Sequence, residues 1–445
     1  MNDFLNGIYG INDEEMEDYS KSVMIGGGTP GPCITGGKGV RITDAGGKNY
    51  IDCTSQSWAL YLGFANEEIT ETVHGHMNRM SHIHQGFSTK PRAVLAKKLA
   101  GVAPEGMNRV SFTVGGGPAI EAAMKIALKN VDDSRQFVVL WDAYHGTTMS
   151  VIGSSWVTSR AHGEFMGNLD FINGVANNFV KVPNPYCYRC PFGKTCETCD
   201  IECAEFTRQT LTRGTIGPVA GIIIEVVQAS GGQIIAPLKY VKRLREICDE
   251  FGCLLIFDEI QTYMRVGDYT AATLYGVTPD VIVMGKGLGA GLPIACVIIR
   301  DSLKGFSMKA EELHTFANNS VSQVAAIKLI DIVERDGLLE NARNMGAHIK
   351  GRLEGLSADF PEIGDIRQIG LHIGVEMVAD PVAKKEMDGD TAGKIKSVAL
   401  EKGLVLGTAG FRKHIFKIKP ALIITREECD EVIDIFADTL KAVLR

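Results

Sequence analysis

Between about residues 68 and 300 the hydrophobic positions of this chain fall into short apolar runs separated by amphipathic stretches. Runs at 137–140, 220–225, 254–257 and 281–284 read as buried strands, and the stretches at 119–127 and 240–251 read as helices. Alternation of this kind predicts a mainly parallel sheet covered by helices on both faces, an α/β architecture. In such sheets ligands collect at the carboxyl ends of strands, and Glu225, Asp258 and Lys286 all fall at such ends. The flanking regions follow other patterns. Residues 1–35 are acidic, then rich in Gly and Pro (Gly26-Gly-Gly-Thr-Pro-Gly-Pro32), and read as an arm. Residues 39–52 read as a small β segment with a turn at Ala45-Gly-Gly. From about 316 a long helix, short strands such as 371–376 and a final helix at 427–444 suggest a smaller α+β unit. The predicted organisation is therefore 1–67 (arm and β segment), 68–315 (large domain) and 316–445 (small C-terminal domain).

Composition narrows the class without choosing a function. The 445 residues, 45% of them hydrophobic and 22% charged, suit a well-packed globular protein. A net charge of −7 and the lack of a long basic run give no nucleic-acid footprint. No stretch approaches the roughly 18 apolar residues of a membrane span, and the start of the chain has no signal-peptide pattern. Eleven cysteines in a chain of this size fit reduced thiols in a cytoplasm better than a disulfide framework.

Lys286 carries the most specific chemistry. It follows an apolar strand in Asp280-Val-Ile-Val-Met-Gly-Lys286 and enters the glycine-rich turn Gly-Leu-Gly-Ala-Gly-Leu-Pro293. Upstream, a second strand ends in Asp258-Glu-Ile-Gln261. A lysine and an aspartate at the ends of two buried strands are what pyridoxal 5'-phosphate (PLP) chemistry needs. The amine forms a Schiff base with the cofactor aldehyde, and the carboxylate keeps the pyridine nitrogen protonated so that the ring accepts electrons. Gly115-Gly-Gly-Pro118 opens a helix, where free N–H groups and the dipole favour a phosphate. Tyr144-His145-Gly146 follows a strand and offers an aromatic ring to a flat cofactor, and Thr315 offers a hydroxyl.

In this order the motifs resemble the class III (ω-amino-acid) aminotransferases of the fold-type I PLP-dependent group. The likeness is most specific in Ile256-Phe-Asp-Glu-Ile-Gln-Thr262 and in Lys286-Gly-Leu-Gly-Ala-Gly-Leu-Pro293. The resemblance implies a seven-stranded-type sheet, a homodimer with shared active sites, and an amine or amino-acid substrate. It implies Lys286 as the Schiff-base lysine and Asp258 as the pyridinium partner. Gln261 is expected near the cofactor's phenolic oxygen, Tyr144 on its ring with His145 beside it, and Gly116 and Gly117 on its phosphate. Thr315 is expected to reach the phosphate of the partner subunit's cofactor.

Three departures from the family pattern bear on the reaction. The phosphate loop lacks the usual serine or threonine. Ser230, in Glu225-Val-Val-Gln-Ala-Ser-Gly-Gly232, stands where a second glutamate is usual. Lys417, in Ile415-Phe-Lys-Ile-Lys-Pro420, stands where relatives carry a carboxylate-gripping arginine. Lysine is a point charge without arginine's bidentate fork, so exchange with 2-oxoglutarate becomes doubtful. Ser-Gly-Gly is closer to the dialkylglycine decarboxylase and amino-acid racemase branches. Trp58 and Tyr61 fall where relatives place substrate-side residues, and Arg367 where a structural salt bridge is expected. Cys187, Cys190, Cys196, Cys199 and Cys203 form two C-x-x-C pairs plus one, a pattern able to close a metal site, although the resemblance implies a loop without metal.

The leading expectation is a PLP-dependent aminotransferase moving an amino group from an amine or ω-amino acid to a keto acid. A racemase or lyase of the same family, needing no keto acid, is the alternative, and a cofactor-bearing scaffold is a third.

Overall fold

A computed structural model describes residues 3–24, 31–158 and 178–445. The Gly/Pro-rich stretch at 26–30 lies outside the described residues.

The centre is a seven-stranded sheet in the order Arg109–Thr113, Ala295–Ile299, Val281–Met284, Leu254–Asp258, Val219–Ile224, Gln136–Leu140, Phe179–Val182. Only Ala295–Ile299 runs antiparallel to its neighbours; the other pairings are parallel. The continuous apolar runs follow from burial on both faces, since successive side chains point to opposite sides. Phe137, Val139, Ile223, Ile256 and Val283 pack with the helix Gly116–Asn130 on one face. Val138, Leu140, Ile222, Leu255, Phe257 and Ile282 belong to the larger core on the other, where the helix Leu238–Phe251 buries Val241, Leu244 and Ile247.

A four-stranded sheet joins Ile34–Lys38, Arg41–Asp44 and Asn49–Asp52 to the distant strand Leu404–Val405. The long helix anticipated after 316 is two helices, Ser320–Arg335 and Leu338–Ser357, broken at Gly337, whose φ of +64° favours glycine. Beyond them Ile363–Ile369, His372–Asp380, Ile415–Ile418 and Gly407–Ala409 form the antiparallel path of a five-stranded sheet. The last helix, Arg426–Leu444, starts with Thr425 and Glu428 in a reciprocal capping box.

Candidate active site

Three parallel strands deliver the candidate chemistry to one place. Asp258 pairs with Val283 on one neighbour, and Phe257 pairs with Ile224 on the other. The residues just past those strand ends, Lys286 and Glu225, therefore flank Asp258. All three line a cavity of about 260 Å³ together with Gly116, Gly117, Tyr144, His145, Thr147, Thr148 and Gln261.

Each charged group there is held by a defined partner. Asp258 Oδ2 lies 2.7 Å from His145 Nδ1, and Oδ1 accepts the Ile260 N–H at 3.1 Å. Glu225 accepts the N–H groups of Tyr144 and Ala229, each at 3.0 Å. Burial pushes the Glu225 carboxyl above its ordinary pKa, opposed most by the His145 charge. Burial also holds the Lys286 amine below the usual lysine value, with Asp258 and Glu225 pulling the other way. Lys286 itself sits at φ +46°, a left-handed conformation costly for a side-chain-bearing residue. The glycine after it is obligatory on steric grounds, because a Cβ at Gly287 would lie 2.3 Å from the Tyr61 ring.

The donor set fits PLP. A carboxylate oriented by a histidine is placed for a ring nitrogen, and a desolvated amine sits beside it for an aldehyde. The helix Gly116–Asn130 opens into the same cavity with Gly115 as an N-cap that makes no side-chain hydrogen bond. A Cβ at Gly116 would meet Ile260 at 3.0 Å and one at Gly117 would meet Thr148 at 2.9 Å, so side chains there would fill the cradle. The first N–H groups of a helix have no partner within it and suit a phosphate. Thr147 and Thr148 offer hydroxyl groups near the loop that lacks them, although Thr148 already donates to Glu121 at 2.6 Å. Only their position directly after Tyr144-His145-Gly146 could have pointed to them.

The residues expected on the substrate side occupy a second cavity, also about 260 Å³, lined by Ser230, Gly231, Trp156, Tyr186, His414 and Lys417 among others. Trp58 stands behind Lys417 rather than on the cavity wall, with Lys417 Nζ 4.1 Å and Lys419 Nζ 4.8 Å from its ring centre. Lys417 forms no hydrogen bond or ion pair among the described residues. Burial, and next the Lys286 charge, bring its pKa down to about 7. Lys419, which the motifs did not flag, is fully buried and donates to Gln261 Oε1 at 2.7 Å.

Other expectations resolve differently. Tyr61 is wholly buried beneath the Arg265 guanidinium, 4.8 Å from its ring, and does not line either cavity. Arg367 forms the anticipated salt bridge, 2.8 Å from Glu376, and also reaches Asp365 and the Gly232 carbonyl. Thr315 lies on an exposed turn away from the cavity of its own chain, beside Leu313 and Phe316, each 56% exposed. In the cysteine loop the Cys187 thiol faces Cys196, and burial pushes it up to about 12. Among the described residues no group of three or more His, Cys, Asp or Glu is arranged to hold a metal ion. No helix among them is long and apolar enough to cross a membrane.

Fold and site together define an α/β enzyme of the fold-type I transaminase class, with its cavity at the carboxyl edge of a mainly parallel sheet. The family model for class III aminotransferases matches residues 27–440, and the chain belongs to that family. It is 32% identical to an adenosylmethionine-8-amino-7-oxononanoate aminotransferase of Geobacter sulfurreducens, over 90% of each chain. It is also 32% identical to a leucine/methionine racemase of Thermococcus litoralis, covering 89% of this chain and 88% of that one. Among solved structures, a PLP-bound amine transaminase from an uncultivated Pseudomonas species superposes with a TM-score of 0.85. That match is 25% identical and covers 95% of this chain and 98% of the other.

Proposed function

We propose that this enzyme binds PLP through Lys286 and transfers an amino group from an amine or ω-amino acid to a keto acid. The observation that carries the reading is the convergence of Lys286, His145-oriented Asp258 and the Gly116–Gly117 helix start on one cavity. When bound, PLP supplies an electron sink for the pair left behind when a bond at the amino-bearing carbon breaks. Asp258 keeps a proton on the ring nitrogen, and His145 fixes that carboxylate. Tyr144 covers the ring, and Gly116 and Gly117 hold the phosphate by their N–H groups. Lys286 would hold the cofactor through its aldehyde carbon, and its Nζ would move a proton during the transfer. Its depressed pKa supports that role, because an amine of low basicity is neutral more often near pH 7.

Ser230 and Lys417 border the substrate, Lys417 as the cation for a carboxylate and Trp58 as the surface that positions it. A homodimer completes the site: Phe87, Leu313 and Phe316 are exposed apolar residues near Thr315, which supports burial of this edge against a second copy and use of Thr315 on its phosphate. All eleven cysteines are free thiols, which supports a cytoplasmic setting.

Reduction of the loaded enzyme with borohydride should tag Lys286 in a peptide map. Lys286→Ala should abolish the tag and lower turnover by about 10⁴-fold or more. A tag on another residue, or an active Lys286→Ala enzyme, sinks the proposal. The similarity to a racemase, with serine at 230, supports a second reading in which one amino acid is epimerised without a keto acid. Loss of optical activity from a single enantiomer with no keto acid present would select it.

A further inference from the structure

Gln261 lies just past the strand that ends in Asp258 and is 5% exposed on the wall of the cofactor cavity. Its backbone carbonyl is fixed by His372 Nε2 at 2.9 Å. Its side-chain carbonyl accepts from Lys419 Nζ at 2.7 Å. A glutamine amide has one accepting and one donating end. With the accepting end engaged, the NH₂ end is left, and it has no hydrogen bond among the described residues. That NH₂ end is therefore free to donate to an acceptor in the cavity that Gln261 lines.

Lys419 is itself a costly choice. It is completely buried in a neighbourhood of Arg265, Lys417, Lys286 and His372, with Glu225 opposing them. A methionine would fill the same space against Trp58 without that repulsion.

We infer that Lys419 is a positioning residue that locks the Gln261 amide so that its NH₂ end faces the ring oxygen of the bound cofactor. The inference rests on the PLP reading above. A donor on that oxygen stabilises its negative charge most once the neighbouring proton on the lysine-linked nitrogen has left. It therefore lowers the pH at which that proton is lost. Releasing the amide removes the effect.

The test is a pH titration of the visible absorbance of the loaded enzyme. Lys419→Met should raise the transition by on the order of one pH unit, the worth of a hydrogen bond to a charged group. Gln261→Ala should raise it similarly, and the double variant should shift no further than either single one. Lys419→Arg, which keeps a donor, should stay close to the parent. The thermal midpoint of Lys419→Met should be equal or higher, which separates positioning from a structural role. An unshifted Lys419→Met, or shifts that add in the double variant, overturns the inference and leaves the PLP reading standing. A parent enzyme with no visible band that depends on Lys286 overturns both.

Discussion

The two cavities of the site carry charge in opposite ways. In the first, Lys286 faces Asp258 and Glu225, and every carboxylate oxygen named there accepts from His145 or a backbone N–H. In the second, Lys417 lines the wall over Trp58, whose ring also meets the fully buried Lys419, and no carboxylate is paired to either among the described residues. The first is electrostatically complete apart from an uncharged cradle for a phosphate. The second holds the Lys417 amine, whose charge is so costly to bury that its pKa falls to about 7. Such a cost persists when a ligand offsets it, so the second cavity points to an anionic group on at least one substrate. The difference also follows the substrate-side departures, although the third departure, the phosphate loop, lies in the first cavity. The balanced cavity holds the family motif residues, and the unbalanced one holds the departures at 230 and 417.

The largest expected effect breaks the balanced side. Asp258→Asn keeps the size of the side chain and removes the charge that His145 orients. Turnover should fall by about 10²–10³-fold, as when one preorganised electrostatic partner is lost, while the fold and Lys286 attachment persist. The measurement is single-turnover amino transfer alongside far-UV circular dichroism. A variant within threefold of the parent would mean that Asp258 does not act on the ring nitrogen.

Lys417→Met tests the unbalanced side and should act in opposite directions on activity and stability. Losing the buried amine on the second cavity wall should lower kcat/KM for the anionic substrate by about 10- to 100-fold. In the parent, that same kcat/KM should fall as pH rises through about 7, where Lys417 loses its proton, and the limb should vanish in the variant. Stability should rise. The folded pKa is about 7 against an ordinary 10.5, so between these values the unfolded chain binds a proton that the folded chain does not. Stability therefore climbs with pH across that window, and the penalty is complete below about 7. The gain from Lys417→Met should be on the order of 4 kcal/mol at pH 6 and should shrink to nothing above about pH 10.5. Denaturant titrations at several pH values read it directly, and a pH-independent difference would assign the gain to packing.

Much of the balanced cavity was legible before any coordinates. The strands at 254–257 and 281–284 announce themselves as apolar runs, and a lysine or aspartate at such an end has few structural reasons to be there. The unbalanced cavity was half legible. Lys417 emerged only by comparison with a family pattern, and Lys419 passed unnoticed although a strand supplies the clue. Side chains two apart share a face, so a site at 417 on Ile415–Ile418 implies one at 419. Trp58 was flagged as a pocket wall and proves to be the surface beneath the lysines, because its orientation comes from backbone conformation that residue types do not encode. Ser55, Gln56, Ser57 and Trp58 all have positive φ, between 43° and 67°, with no glycine or asparagine among them. Tertiary contacts override local preference there. Asp52 accepts from Thr54 and Gln56, and Ser55 donates to the Lys419 carbonyl at 2.5 Å while accepting from Arg265.

That left-handed turn supplies the smallest and sharpest test of the comparison. A left-handed residue with a side chain costs roughly 1–2 kcal/mol, and glycine avoids the cost while losing about 0.5–1 kcal/mol of entropy on folding. Ser57 is exposed at φ +59° and makes no side-chain hydrogen bond among the described residues, so nothing offsets its strain locally. Ser57→Gly should raise stability by about 0.5–1 kcal/mol. If the turn is strained only to carry Trp58 under the two lysines, the variant should also loosen that platform. KM for the anionic substrate should then rise by a small factor, about two- to threefold, with kcat and cofactor attachment at Lys286 unchanged. A stability gain with no change in KM would show that Asp52 and Ser55 alone hold Trp58 in place. A loss of stability would mean that the turn is not left-handed in solution, and the second cavity would then lose the ring on which Lys417 rests.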